Sequence, residues 1–298
     1  MSLSRVEDLA TALPLLIQEA FVDDESAPAS TDAAEQPPGD VFLLVHGYGG
    51  SSYTWHNWLP DLARRGRVLQ VDLKGFGRAP KPDDGRYAPT DLAEILFELI
   101  REQDLERITL IGHSLGGGVS LLTALRLIDE GETRLARLVL VAAPAYRQKL
   151  PPFVALSKAP GLSRTLAHLV GIERVVTHVL RSIVFDPATI TREQIRAYSL
   201  GLAAEGGLRA AMDVGRTIVP DDIEGFARRY PEIDVPTLLL WGDHDRVIPL
   251  RIAHRLAEDL PRARLSVIES CGHIPPEERP AESYATLAAF LDETPTAS

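Results

Sequence analysis

The sequence predicts an α/β protein, built on a mostly parallel, doubly wound sheet with a helical block inserted between two of its strands. Three observations carry that expectation. Short apolar runs at residues 41–45, 68–72, 108–111, 138–143, 235–241 and 264–268 alternate with amphipathic helical patterns, as parallel strands joined by crossover helices do. Between 144 and 231 the strand-like runs stop and helical periodicity takes over. The run at 108–111 also leads into Gly112-His113-Ser114-Leu115-Gly116 and then a helical stretch at 119–128, the pattern of a sharp strand-to-helix turn.

Taken in order, residues 3–22 place Leu3, Val6, Leu9, Leu13, Leu16, Ile17, Ala20 and Phe21 roughly on one helical face, interrupted by Pro14. Residues 23–40 have the Asp, Ser, Ala, Thr, Glu and Pro content of a linker, so 1–40 is expected to be an extension, partly linker-like or disordered. The run at 41–45 is apolar throughout, as in a strand buried on both faces, and ends in the loop His46-Gly47-Tyr48-Gly49-Gly50. The strand at 68–72 closes on Asp72-Leu73-Lys74-Gly75-Phe76-Gly77. Asp91 and Glu94 read as a capping pair for a helix with the stripe Leu92, Ile95, Leu96, Leu99 and Ile100.

Past the strand at 138–143, which Pro144 stops, Leu162, Leu166, Leu169 and Val170 share one helical face, and Val175, Val176, Leu180, Ile183 and Val184 another. Such an insert reads as a lid over the strands' C-terminal edge, its apolar residues mostly packing and partly lining a pocket. The strand at 235–241 ends in Gly242-Asp243-His244-Asp245, and the last strand leads to Cys271-Gly272-His273 before a closing helix at 282–291. The expected division is a catalytic domain from 41–143 and 232–298, with a helical lid from 144–231.

The chain has 298 residues, enough for one large α/β domain, and a net charge of −11 that argues against nucleic acid or an anionic membrane surface as partner. One cysteine, Cys271, leaves no intramolecular disulfide to form, and nothing approaches the roughly 18 apolar residues of a membrane span. Without a signal-peptide pattern, the expectation is a cytoplasmic protein. No H-E-x-x-H or comparable ligand spacing is present, and the Gly47-Gly49-Gly50 cluster lacks the spacing of a phosphate or dinucleotide loop. No metal and no cofactor are expected; the sequence says nothing of the oligomeric state.

The turn at 112–116 points to chemistry. A serine at its tip stands in a strained conformation, exposed as a nucleophile, and the Leu115 N–H at the start of the next helix can face a developing oxyanion. A carboxylate loop at 243–245 and a histidine loop at 273 follow in the order this architecture requires, each after a strand.

These residues resemble the α/β-hydrolase fold superfamily, in its lidded, esterase-like branch, from about 41 to 291. The resemblance implies Ser114 as nucleophile, His273 as general base and then acid, and Asp245 in preference to Asp243 as the carboxylate orienting the histidine. It implies an oxyanion hole from the Tyr48 and Leu115 amides, with His46 bracing its loop and His113 and Cys271 packing. The implied activity is hydrolysis of small to medium hydrophobic carboxylic esters through an acyl-enzyme. Carbon–carbon bond hydrolases of aromatic ring-cleavage products resemble the chain in Cys-Gly-His and Phe185-Asp186. They usually place an arginine where Tyr198 stands and a tryptophan where Ile274 follows His273, which makes Tyr198 and Ile274 candidate substrate contacts and Arg181 or Arg196 possible substitutes. A non-catalytic ligand-binding protein on the same fold is the third reading. Family members often begin with a strand hairpin; residues 1–40 show no clear one.

Overall fold

A run buried on both faces needs a strand on either side, and β3 (Asp40–Val45) has them, pairing in parallel with β4 (Gly66–Asp72) and β5 (Ile108–His113). The computed structural model describes residues 3–22, 40–159 and 169–296. With β6 (Leu135–Val141), β7 (Thr237–Gly242) and β8 (Ala263–Ile268), the six strands from β3 to β8 run parallel. They belong to an eight-stranded sheet of order β1-β2-β4-β3-β5-β6-β7-β8.

The period-two alternation of strand side chains divides the core. Leu43, Val45, Leu69, Val71, Leu110, Leu138 and Leu140 pack on one face, with helices α1 (Pro89–Glu102) and α2 (Leu115–Asp129). Phe42, Leu44, Val68, Ile111, Val139 and Val141 pack on the other, with Trp55, Trp58 and the last helix. The predicted cap of α1 is corrected in detail: Asp91 accepts from the Ala88 N–H at 3.0 Å, whereas Glu94 accepts from Arg126 Nε of α2 at 2.9 Å.

The N-terminal expectation is also corrected. Residues 3–22 form an antiparallel hairpin, β1 (Leu3–Leu9) and β2 (Leu16–Val22), and β2 pairs antiparallel with β4. The three-residue spacing of Leu3, Val6 and Leu9 imitates a helix. The open edge of β4 decides otherwise, because its amides and carbonyls need partners. Glu19 accepts from Arg67 Nε at 2.9 Å across that junction, and Ile17 is fully buried. Residues 23–39, where linker character is expected, lie outside the described residues.

Between β6 and β7 come α3 (Ile172–Ile183), α4 (Arg192–Ala203), α5 (Gly207–Thr217) and α6 (Ile223–Arg229). Val176, Leu180, Ile183 and Val184 are buried, as their shared face predicts. Leu162 and Leu166 lie outside the described residues; Leu169 and Val170, expected on the same packing face, are 75% and 37% exposed. After β7 come α7 (Leu250–Asp259), α8 (Pro275–Glu278) and α9 (Pro280–Glu293). No helix among the described residues is long and apolar enough to cross a membrane.

Candidate active site

The turn after β5 places Ser114 in the left-handed region, with φ 49° and ψ −122°, at the N-terminus of α2. A non-glycine residue there stores strain of about 1–3 kcal/mol, held by the surrounding structure. The close approach that permits the turn is at Gly116, where an added Cβ would sit 2.2 Å from the Val45 carbonyl oxygen and 2.5 Å from that of His46. Helix α2 thus starts in contact with the end of β3, which brings the loop at 46–50 beside Ser114.

His273 stands on the loop between β8 and α8, with Nε2 3.0 Å from Ser114 Oγ and Nδ1 2.9 Å from Asp245 Oδ2. Both residues are buried, His273 to 4% exposure and Asp245 to 8%. The other oxygen of Asp245 accepts from the amides of Val247 at 2.8 Å and Ile248 at 2.9 Å, so the carboxylate is aimed from both sides. Asp243 goes elsewhere: its Oδ1 takes the Cys271 amide at 3.1 Å and His244 Nδ1 at 2.6 Å. The structure brings Ser114, His273 and Asp245 together and leaves Asp243 outside the chain of hydrogen bonds.

The two histidines near the serine are accounted for structurally. His46 Nε2 accepts from the Leu73 N–H at 3.0 Å, which leaves Nδ1 as the protonated nitrogen donating to Gly47 O at 2.7 Å. Burial pushes its pKa down, so it braces the loop as a neutral imidazole. His113 lies 2.8 Å by Nε2 from the His273 carbonyl; burial first, and the neighbouring His273 second, push its pKa down to about 3. Cys271 is buried and its thiol is pushed up by burial, which keeps it protonated and inert. Among the described residues the N–H groups of Tyr48 and Leu115 have no backbone acceptor. The Tyr48 side chain is anchored through its hydroxyl to Ala211 O of α5 at 2.8 Å.

A cavity of about 230 Å³ opens above Ser114, between the sheet's edge and the inserted helices. Its wall includes Tyr48, Leu115 and Ile274 from the sheet side and Phe153, Leu180 and Met212 from the insert, and no Asp, Glu, Lys or Arg lines it among the described residues. Arg181 and Arg196 are exposed and stand outside the lining. Among the described residues, no group of three His, Cys, Asp or Glu side chains could hold a metal ion.

Tyr198 lines the cavity with its ring, but its hydroxyl is engaged, donating to Glu277 Oε1 and lying 3.3 Å from Thr54 Oγ1. Gln194 Nε2 donates to the other oxygen of Glu277 at 2.9 Å, so α4 hangs from this one carboxyl on α8. Burial pushes Glu277 up to about 7; the hydrogen bonds from Tyr198 and Gln194 pull the other way, and Glu278 adds to the rise. A carboxyl whose folded pKa is raised binds protons more tightly folded than unfolded. Its contribution therefore favours folding at low pH and declines as pH rises from about 4.5 to about 7. Glu277→Gln, which imitates the protonated carboxyl, is expected to flatten that decline by a few kcal/mol at most; parallel urea melts at pH 5 and pH 8 would measure it.

Sequence reasoning stopped at Ile274 and missed Glu277 and Glu278. A signal existed, because Pro275 at a helix start with an acid three residues on is a helix-opening pattern whose carboxylate reaches back to exposed amides.

Comparison with known proteins accords with this geometry. A model of the alpha/beta hydrolase family matches residues 42–287. An uncharacterized hydrolase, YugF, of Bacillus subtilis (strain 168) is 26% identical over 258 residues, covering 86% of this chain and 92% of that protein. The 2-hydroxymuconate semialdehyde hydrolase of Pseudomonas sp. (strain CF600) is 26% identical over 271 residues, covering 90% of this chain and 92% of the other. The crystal structure of an alpha/beta hydrolase fold protein from Burkholderia ambifaria superposes with a TM-score of 0.77 at 24% identity, covering 97% and 99% of the two chains.

Proposed function

Because the chain belongs to the alpha/beta hydrolase family, we propose that it is a serine hydrolase of uncharged carboxylic esters with apolar groups. The observation that carries the reading is the chain of hydrogen bonds from Asp245 through His273 to Ser114, opening onto a cavity with no Asp, Glu, Lys or Arg in its lining among the described residues.

The positions of these atoms support the following course. His273 Nε2 takes the Ser114 proton as Oγ attacks the ester carbonyl, and Asp245 steadies the imidazolium through Nδ1. The carbonyl oxygen becomes an oxyanion facing the Tyr48 and Leu115 amides, which have no backbone acceptor among the described residues, Leu115 standing at the positive end of α2. His273 passes its proton to the leaving alkoxide, and an acyl group remains on Ser114. Water enters, loses a proton to the same histidine, and releases the acid. The helices between β6 and β7 act as a lid, supplying the apolar wall that excludes bulk water.

The similarity to a 2-hydroxymuconate semialdehyde hydrolase raises carbon–carbon cleavage as the other reading. An anionic substrate would need a cation in the wall, and among the described residues the lining has none, with Tyr198 in the notional arginine position spending its hydroxyl on Glu277. The test compares p-nitrophenyl hexanoate with the mono-p-nitrophenyl ester of a six-carbon diacid. Burying an unpaired carboxylate costs several kcal/mol, so kcat/KM is expected to be roughly a hundredfold or more lower for the diacid ester. Equal turnover of both would overturn the uncharged-substrate reading.

A further inference from the structure

We propose that Glu278 is a positioning residue for His273. The inference rests on the reading of His273 as the base that activates Ser114. The Glu278 carboxylate on α8 accepts three main-chain amides: Gly272 at 2.8 Å and Phe185 at 2.7 Å on Oε2, and Ile274 at 3.0 Å on Oε1. Two of these amides flank His273 on either side. The third belongs to the segment that leaves α3 and forms part of the inserted helices. The amide of His273 itself donates to the carbonyl of Ile183 at 2.9 Å, two residues before Phe185.

Three successive amides of the histidine loop are therefore held by only two groups, the Glu278 carboxylate and the end of α3. A loop this short has no ladder of its own to fix it, and buried amides need acceptors, so the charge-assisted bonds to Glu278 set its path. The path matters because Nε2 must stay near 3.0 Å from Ser114 Oγ while Nδ1 stays on Asp245. Both oxygens of Glu278 are needed, since Oε1 serves one side of His273 and Oε2 the other. A glutamine offers only one acceptor oxygen and turns an N–H₂ donor toward an amide N–H. An aspartate keeps the charge but is one methylene too short to span both. Glu278 also ties residue 185 of the insert to the histidine loop, so the lid and the base share one anchor.

The experiment follows two readouts in the wild type, Glu278→Gln and Glu278→Asp, all at a temperature where circular dichroism shows each to be folded. One is kcat and KM for p-nitrophenyl butyrate; the other is the rate at which a fluorophosphonate probe labels Ser114, which needs an aligned base but no particular acyl group. In Glu278→Gln, kcat and the labelling rate are expected to fall together by roughly tenfold or more, since an ångström of misplacement can cost about a hundredfold, with KM within about twofold. Glu278→Asp should fall in between, and it carries the comparison if the glutamine variant does not fold. Wild-type rates in folded variants, even with a lowered melting temperature, would overturn the proposal, as would a raised KM with unchanged kcat. A wild type that labels at Ser114 but hydrolyses no ester would defeat the ester reading while the labelling rates still judge Glu278. A wild type that does not label would remove both.

Discussion

Ser114→Ala is expected to lower ester turnover by roughly five orders of magnitude, while leaving the melting temperature near that of the wild type. The side chain lost is one hydroxyl, whose partner is the His273 imidazole at 3.0 Å, so little packing goes with it. The methyl group that replaces it can stand in the same strained backbone, which the contacts of Gly116 with the end of β3 continue to hold. What disappears is the atom that forms the acyl-enzyme in the proposed reaction, and among the described residues the side-chain hydrogen bonds of His273 go to Ser114 and Asp245 and to no other hydroxyl. The decisive measurement is the pre-steady-state burst of p-nitrophenol: one equivalent per wild-type molecule, and none from Ser114→Ala. A burst surviving in the variant would place the nucleophile elsewhere.

Asp245→Asn should cost about four orders of magnitude in kcat, and Asp243→Asn less than about tenfold. The two acids are two residues apart, but their surroundings separate their roles. Asp245 receives two amides on one oxygen and His273 on the other; an asparagine there would either present an N–H to the Nδ1–H or turn it toward the Val247 and Ile248 amides. The first arrangement forces the imidazole into the wrong tautomer. Asp243 holds the Cys271 amide and His244, so its change affects the loop more than the base. Steady-state kinetics on both variants rank them, and the reverse order would reassign the acid.

The parallel strands and the serine turn were legible because each is written locally. Residues 41–45 are apolar without interruption, and the glycines around Ser114 answer a contact with β3 that spacing alone can announce. The hairpin at 3–22 was not legible, because its three-residue apolar spacing suits a helix and the need that overrides it arises on β4, some fifty residues later. The helix-opening pattern at Pro275 hinted at an acid reaching back to amides, but the partners of Glu277 and Glu278 were illegible for a different reason. Adjacent acids after two prolines have the composition of a solvated turn, and only tertiary structure brings Tyr198, Gln194 and the amides of 185, 272 and 274 to meet them. Tyr198, expected as a substrate contact, lines the cavity, and the use of its hydroxyl as a strut depended on Glu277.

The wall, free of Asp, Glu, Lys and Arg among the described residues, bears on the end of the proposed catalytic cycle as much as on its beginning. In the proposed reaction a neutral ester enters, and the second half-reaction leaves a carboxylic acid that ionises at neutral pH, pKa values of such acids lying near 4 to 5, about those of free carboxyl side chains. The anion finds no cation in the lining among the described residues and sits inside a molecule of net charge −11. The surface that welcomes the ester therefore ejects its acid. Ionisation in effect makes each turnover a one-way passage, with the product driven out to water by the same desolvation cost that would keep an anionic substrate from entering.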